Sequence, residues 1–134
     1  MTALEFSIHP EARLVRITYR ADPTFDEFAD TVRAILAHPD FRPGMSVLAD
    51  RSAITTPPTT EYVQRVVRFM GEFVPRNQVA RWAQVAAGPA SFGVARMGGA
   101  LGAEDQVDYR AFTDVARAER WLAGEDEFGD PSAA

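Results

Sequence analysis

Hydroxyl and carboxylate side chains crowd the stretch Asp50-Arg51-Ser52-Ala53-Ile54-Thr55-Thr56, which directly follows the apolar run Met45-Ser46-Val47-Leu48-Ala49. A carboxylate accepts hydrogen bonds from a ligand, and a hydroxyl both donates and accepts them. If the apolar run is a parallel strand, these residues leave its C-terminal end, the edge at which open α/β sheets bind ligands. Asp50, Ser52, Thr55 and Thr56 are therefore the expected ligand or partner rim. The plainer alternative is that Asp50 and Ser52 satisfy loop backbone N–H groups, as short polar side chains often do. No base, nucleophile or metal set accompanies Asp50 in the sequence, so a reaction at that carboxylate is not the leading expectation.

A second candidate is Gly88-Pro89-Ala90-Ser91-Phe92-Gly93, which follows one expected strand and opens a helix. Exposed N–H groups at a helix start can hold an anion, which makes Ser91 a candidate anion site. A P-loop is excluded, because Val94 stands where its lysine would be needed. The Gly-x-Ser-x-Gly spacing of a nucleophile elbow is also missing, since Gly88 lies one residue too far from Ser91. Ser91 as a plain helix N-cap is the competing reading. His9 and His38 sit beside Pro10 and Pro39 in different elements, without the spacing of a metal pair. They read as exposed turn residues. Asp26, Glu27 and Asp30 crowd a helix start, where carboxylates are favoured by the helix dipole without any metal. No metal and no cofactor is expected.

The balance of charge narrows the partners. The chain has 134 residues, 46% of them hydrophobic, and a net charge of −5 from 14 basic and 19 acidic side chains. The length fits one domain and the apolar share provides a core. Every basic residue is an arginine, and the arginines are scattered, so neither nucleic acid nor an anionic membrane is an expected partner. Without cysteine there are no disulfides, thiol nucleophiles or thiolate metal sites. No apolar stretch approaches the roughly 20 residues of a membrane helix, and the start of the chain lacks the pattern of a signal peptide. A cytoplasmic protein is expected.

The elements that must position these residues follow from periodicity. Leu4, Phe6 and Ile8 alternate with polar residues, and Leu14 to Tyr19 is a β-branched run; the His9-Pro10-Glu11-Ala12 turn between them predicts an antiparallel hairpin. Thr24-Phe25-Asp26-Glu27 has the form of a capping box, with Phe28, Val32, Ile35 and Leu36 at helical spacing until Pro39. Met45 to Ala49, apolar at consecutive positions, predicts a strand buried on both faces. The segment Arg51 to Thr60, with Pro57-Pro58, predicts a loop. A helix from about Thr60 to Val74 then turns Val63, Val66, Val67, Met70, Phe73 and Val74 inward and stops at Pro75. Gln78 to Ala87 holds a strand around Trp82-Ala83-Gln84-Val85-Ala86. Ser91 to Leu101 predicts a third helix, in which Gly93, Gly98 and Gly99 each cost about 1 kcal/mol relative to alanine. Val107 to Phe112 predicts a last strand. Asp114 caps a last helix to Ala123, with Val115, Ala118, Trp121 and Leu122 on one face. Trp82 and Trp121 read as core or interface anchors. Residues 1–123 form the expected domain, and 124–134 an acidic, mobile tail.

The expected order, ββαβαβαβα, is an α/β domain with a mixed five-stranded sheet: an opening antiparallel hairpin, then parallel strands, packed with four helices. That order resembles the STAS domains, which include sporulation anti-sigma-factor antagonists, and more closely their SpoIIAA-like relatives among small bacterial proteins. The residues carrying the likeness are Ser46-Val47-Leu48-Ala49-Asp50-Arg51-Ser52 and the stretch from Tyr109-Arg110-Ala111-Phe112-Thr113-Asp114 to Trp121-Leu122. In phosphoregulated STAS proteins an Ile-Asp-Ser-Ser-Gly-like loop follows that central strand and is phosphorylated on serine. Its match here is Ile54-Thr55-Thr56-Pro57-Pro58, which sets Thr55 at the place of the acid and Thr56 at that of the serine. Pro57 and Pro58 replace the small residues that open the helix. The resemblance implies a non-catalytic regulatory module that binds a protein partner or small ligand, with Thr56 as the phosphorylation position. The alternative is a carrier of a small apolar ligand or lipid, with Phe92, Met97 and Leu101 of the glycine-rich third helix as pocket walls. A homodimer through helix faces is a further expectation.

Overall fold

Register and burial together explain why the chain forms one twisted sheet. The computed structural model describes residues 3–74, 78–102 and 108–125, with backbone alone for 98–102. The elements are β1 (Leu4–His9), β2 (Leu14–Tyr19), α1 (Phe25–Ala37), β3 (Met45–Asp50), α2 (Thr60–Phe73), β4 (Val79–Val85), α3 (Pro89–Gly102), β5 (Asp108–Phe112) and α4 (Val115–Leu122). The strands lie in the order β1-β2-β3-β4-β5. β1 and β2 are antiparallel, and every later neighbour is parallel. The fold is thus the expected mixed sheet with four helices. Val107, Pro75 and the tail beyond Glu125 lie outside the described residues.

Each crossover from β2 onward steps one strand in the same direction. Right-handed connections then put α1, α2 and α3 on one face of the sheet. Their packing agrees: α1 meets β1 and α2, α2 meets α3, and α3 meets β5. The opposite face carries α4, which packs on β3, β4 and β5. β3 is buried from both sides, as its unbroken apolar run requires, and its residues divide by parity. Met45, Val47 and Ala49 join Val15, Ile17, Tyr19, Phe28 and Trp82 under the three helices, whereas Leu48 joins Ala83, Val85, Phe112, Ala118 and Trp121 under α4. One extra residue in β4 shifts the pairing from Met45↔Val79 to Val47↔Trp82. Such a bulge re-aims side chains. It sets Trp82 and Gln84 on the three-helix face.

Local signals fix the helix ends. Thr24 and Glu27 complete the capping box in both directions, at 3.1 and 2.9 Å. α1 ends before Pro39, with His38 already extended at ψ 138, the conformation proline imposes on its predecessor. Asp114 accepts the Ala116 N–H at the start of α4. The N–H groups of Gly124 and Glu125 return to the carbonyls of Trp121 and Arg120, with Gly124 at φ +80. This closing turn needs a left-handed residue, which glycine supplies without steric cost. It extends the ordered end of α4 past Ala123.

Two expectations about helices are corrected. Phe73 does not point inward; it is 41% exposed. It lies at the end of α2, where its ring stacks on Phe69 at 5.1 Å and the Arg33 guanidinium covers it. Ser91 is not the N-cap of α3. The helix opens at Pro89, whose fixed φ and missing N–H suit a first helical position, and the Gly88 carbonyl accepts the Phe92 N–H.

Candidate functional site

The parallel strands deliver their C-terminal ends to one edge, where the helices of the three-helix layer begin. There the fold gathers Tyr19 from the end of β2, Asp22 from the β2–α1 loop, Arg51 and Thr56 from the β3–α2 loop, Tyr62 from the first turn of α2, and Gln84 from β4. Arg51 holds the centre. Strand parity explains its direction: Thr18 pairs with Asp50, so Tyr19 runs beside Arg51. Arg51 follows Val47 and Ala49 onto the three-helix face. Its backbone N–H extends the ladder to the Val85 carbonyl at 2.9 Å.

The Arg51 side chain is only 5% exposed. Its Nη2 donates to Asp22 Oδ1 at 2.8 Å and to the Thr56 carbonyl at 3.2 Å. The guanidinium also lies 5.4 Å from the centre of the Tyr19 ring. One cation thereby ties the β2–α1 loop to the β3–α2 loop. A buried charge needs such partners, because its desolvation otherwise costs several kcal/mol. Its Nε is nevertheless buried and meets no hydrogen-bond partner among the described residues, and the same holds for the Tyr62 hydroxyl.

Both phenols keep their protons. Burial raises the pKa of Tyr19, opposed by the Arg51 charge and a hydrogen bond from Gln84. Burial also raises Tyr62, and Tyr19, Asp22 and Glu27 push in the same direction against Arg51. Desolvation disfavours the phenolate in each case. These hydroxyls are donors at neutral pH and poor bases. Gln84 is itself oriented by the indole N–H of Trp82, 3.0 Å from its Oε1. The pKa of Tyr109, further along the same face, is raised by burial too, and its hydroxyl donates a hydrogen bond to the Ala95 carbonyl at 3.0 Å.

All four expected rim residues stand at this edge, but they point elsewhere than Arg51. Asp50 turns back on the loop: its Oδ1 accepts the backbone N–H and the hydroxyl of Ser52, at 2.9 and 2.6 Å. Ser52, Thr55 and Thr56 are exposed, and Thr56 offers its carbonyl, not its hydroxyl, to Arg51. Ser91 lies apart, 3% exposed in the first turn of α3. Phe92 and Met97 are half-buried, and the side chain of Leu101 lies outside the described residues. His9 and His38 are half-buried rather than exposed. His9 Nε2 pairs with the Ser7 hydroxyl, and His38 Nδ1 accepts the Asp40 N–H. Glu27 belongs to its capping box and Asp30 pairs with Arg33.

Sequence reasoning passed over Arg51, Tyr62, Tyr19 and Gln84. The signal for Arg51 was present: an arginine continuing the parity of Val47 and Ala49 points inward. Tyr62 carried none, because only the path of the β3–α2 loop brings α2 to this edge. Comparison with protein-family models, curated proteins and solved structures returns no match.

Proposed function

We propose that the chain is a non-catalytic regulatory module of STAS-like, SpoIIAA-like kind, and that it binds a protein partner through the β3–α2 loop, residues 52–59. One observation carries this reading: the loop presents exposed hydroxyls while its backbone is fixed from below. The Thr56 carbonyl is held by buried Arg51, the Ile54 N–H bonds the Arg51 carbonyl at 3.0 Å, and Ile54 packs against the core. A polar surface that is already ordered binds with a smaller entropy loss than a loose one. The neighbouring phenols act as donors, not bases, which supports binding over turnover.

Thr56 is the position at which this loop would be switched. A phosphate there adds up to two negative charges and strong acceptors above the Arg51–Asp22 pair.

The test is cross-linked capture from native extract, run in parallel with wild-type protein and the double variant Thr55→Ala/Thr56→Ala. A specific protein retained by the wild type and lost at least tenfold with the variant supports the reading. Equal retention, or turnover of esters, phosphates or sugars by the purified wild type, overturns it.

A further inference from the structure

Among the described residues, two buried donors without acceptors stand at the same edge. Arg51 Nε–H and Tyr62 O–H come from different elements, and the Arg51 charge is near enough to favour the Tyr62 phenolate. Leaving one buried polar group unpaired is already costly, and native proteins keep such groups few. Both orphans here lack an acceptor, and they stand where parallel α/β sheets take ligands. We propose that Arg51 Nε–H and Tyr62 O–H together bind the oxygen of a small uncharged carbonyl compound, an amide or a ketone, under the loops that Arg51 ties to Asp22 and Thr56.

Charge decides between a neutral and an anionic acceptor. The Arg51 charge is matched by Asp22 at 2.8 Å, so the pair is neutral before any ligand arrives. An added anion would be a buried charge without its own partner. A carbonyl oxygen satisfies both donors and adds no charge. This site goes beyond the loop reading and does not depend on it.

The experiment uses the full chain and four probes: benzamide and nicotinamide as neutral carbonyl compounds, benzoate and inorganic phosphate as anions. Ligand-observed NMR and thermal unfolding are recorded for wild type, Tyr62→Phe and Arg51→Lys. The neutral amides are expected to bind the wild type and raise its Tm, while the anions do not. Each variant is expected to weaken benzamide binding about tenfold, the worth of one hydrogen bond in a dry site. Tyr62→Phe removes an unpaired hydroxyl, so it is expected to unfold at or above the wild-type Tm when no probe is present. Arg51→Lys keeps the charge beside Asp22 and removes Nε–H, which gives a second route if either variant fails to fold. Binding of benzoate or phosphate in preference to the amides overturns the proposal. So does the absence of binding by any probe, or undiminished benzamide binding in both variants. Loss of the protein partner with the loop variant leaves these measurements unchanged, so the two readings fail separately.

Discussion

On one face of the sheet, α1, α2 and α3 bury Tyr19, Phe28, Val47 and Trp82 in a continuous layer; on the other, the eight-residue α4 relies on Ala118 and Trp121. Arginine is used differently on the two sides. Under α4, Arg81 and Arg110 lie 5.0 and 5.1 Å from the Trp121 ring and grip it from β4 and β5. Arg81 also donates to the Trp121 carbonyl. Both arginines are half-exposed, so their charges stay hydrated while their stems and planes pack on the indole. Arg51, on the crowded face, is sealed in. The contrast teaches where specific chemistry can arise. The α4 face stays wet because α4 packs mainly on β3, β4 and β5 and touches β2 only at its rim, through the Arg16–Glu119 ion pair and Leu14, while the outer side chains Glu5, Ser7, Arg16 and Thr18 of β1 and β2 remain polar. On the other face, three helix starts and their loops converge above the strand ends and exclude water from a charge.

The largest effect should come from removing what α4 depends on. Trp121→Ala is expected to lower stability by about 3–5 kcal/mol, read as a shift in the urea midpoint. A loss below about 1 kcal/mol would mean that α4 is an accessory and that the three-helix face holds the sheet alone. Next, Arg51→Met replaces the sealed cation with an apolar chain of similar length. Asp22 is 54% exposed, so no charge is left buried, and the change in stability is expected to stay within about 1 kcal/mol. Hydrogen exchange at the Ile54 amide should nonetheless speed up, because the loop has lost its tie. A loss above about 3 kcal/mol would make Arg51 a keystone of the fold and not a fastening of its loops. The smallest effect concerns acid. The Glu27 pKa is lowered, chiefly by the backbone N–H of Thr24. A folded-state value below the unfolded one gives stability that is present above the ordinary carboxylate range and lost as pH falls through the lowered value. Glu27→Gln is expected to flatten that acid limb in unfolding curves recorded between about pH 2 and 6, with little change at neutral pH.

The fold was legible because its signals are local. Period-two alternation marked β1, consecutive apolar residues marked β3, and Thr24, Pro39 and Asp114 marked helix ends through backbone rules that need no tertiary context. The site was only half legible. Asp50 and Thr56 announced the edge, but the side chain that organises it stands between Asp50 and Ser52 and looks, in sequence, like a solvated loop arginine. Tyr62 was invisible for a different reason: the Arg51 charge that acts on its phenol comes from another element. Phe73 was misjudged because it repeats at helical spacing with Phe69, yet Met70 and Val74 are the residues that meet the core there, and Phe73 is left beside them, stacked on Phe69 under Arg33. Periodicity reports a direction around a helix; it does not report how far the covered stripe extends to either side.

The strand order carries one more consequence. Each strand after the first lies beside the one made just before it. Three of the four pairings are parallel and are reached only through a crossover that carries a helix, so each must close a long loop before its contacts reward it, which slows folding. During synthesis, each new strand leaves the ribosome with its docking edge already built, and the sheet can grow in the direction of translation without waiting for the far end of the chain.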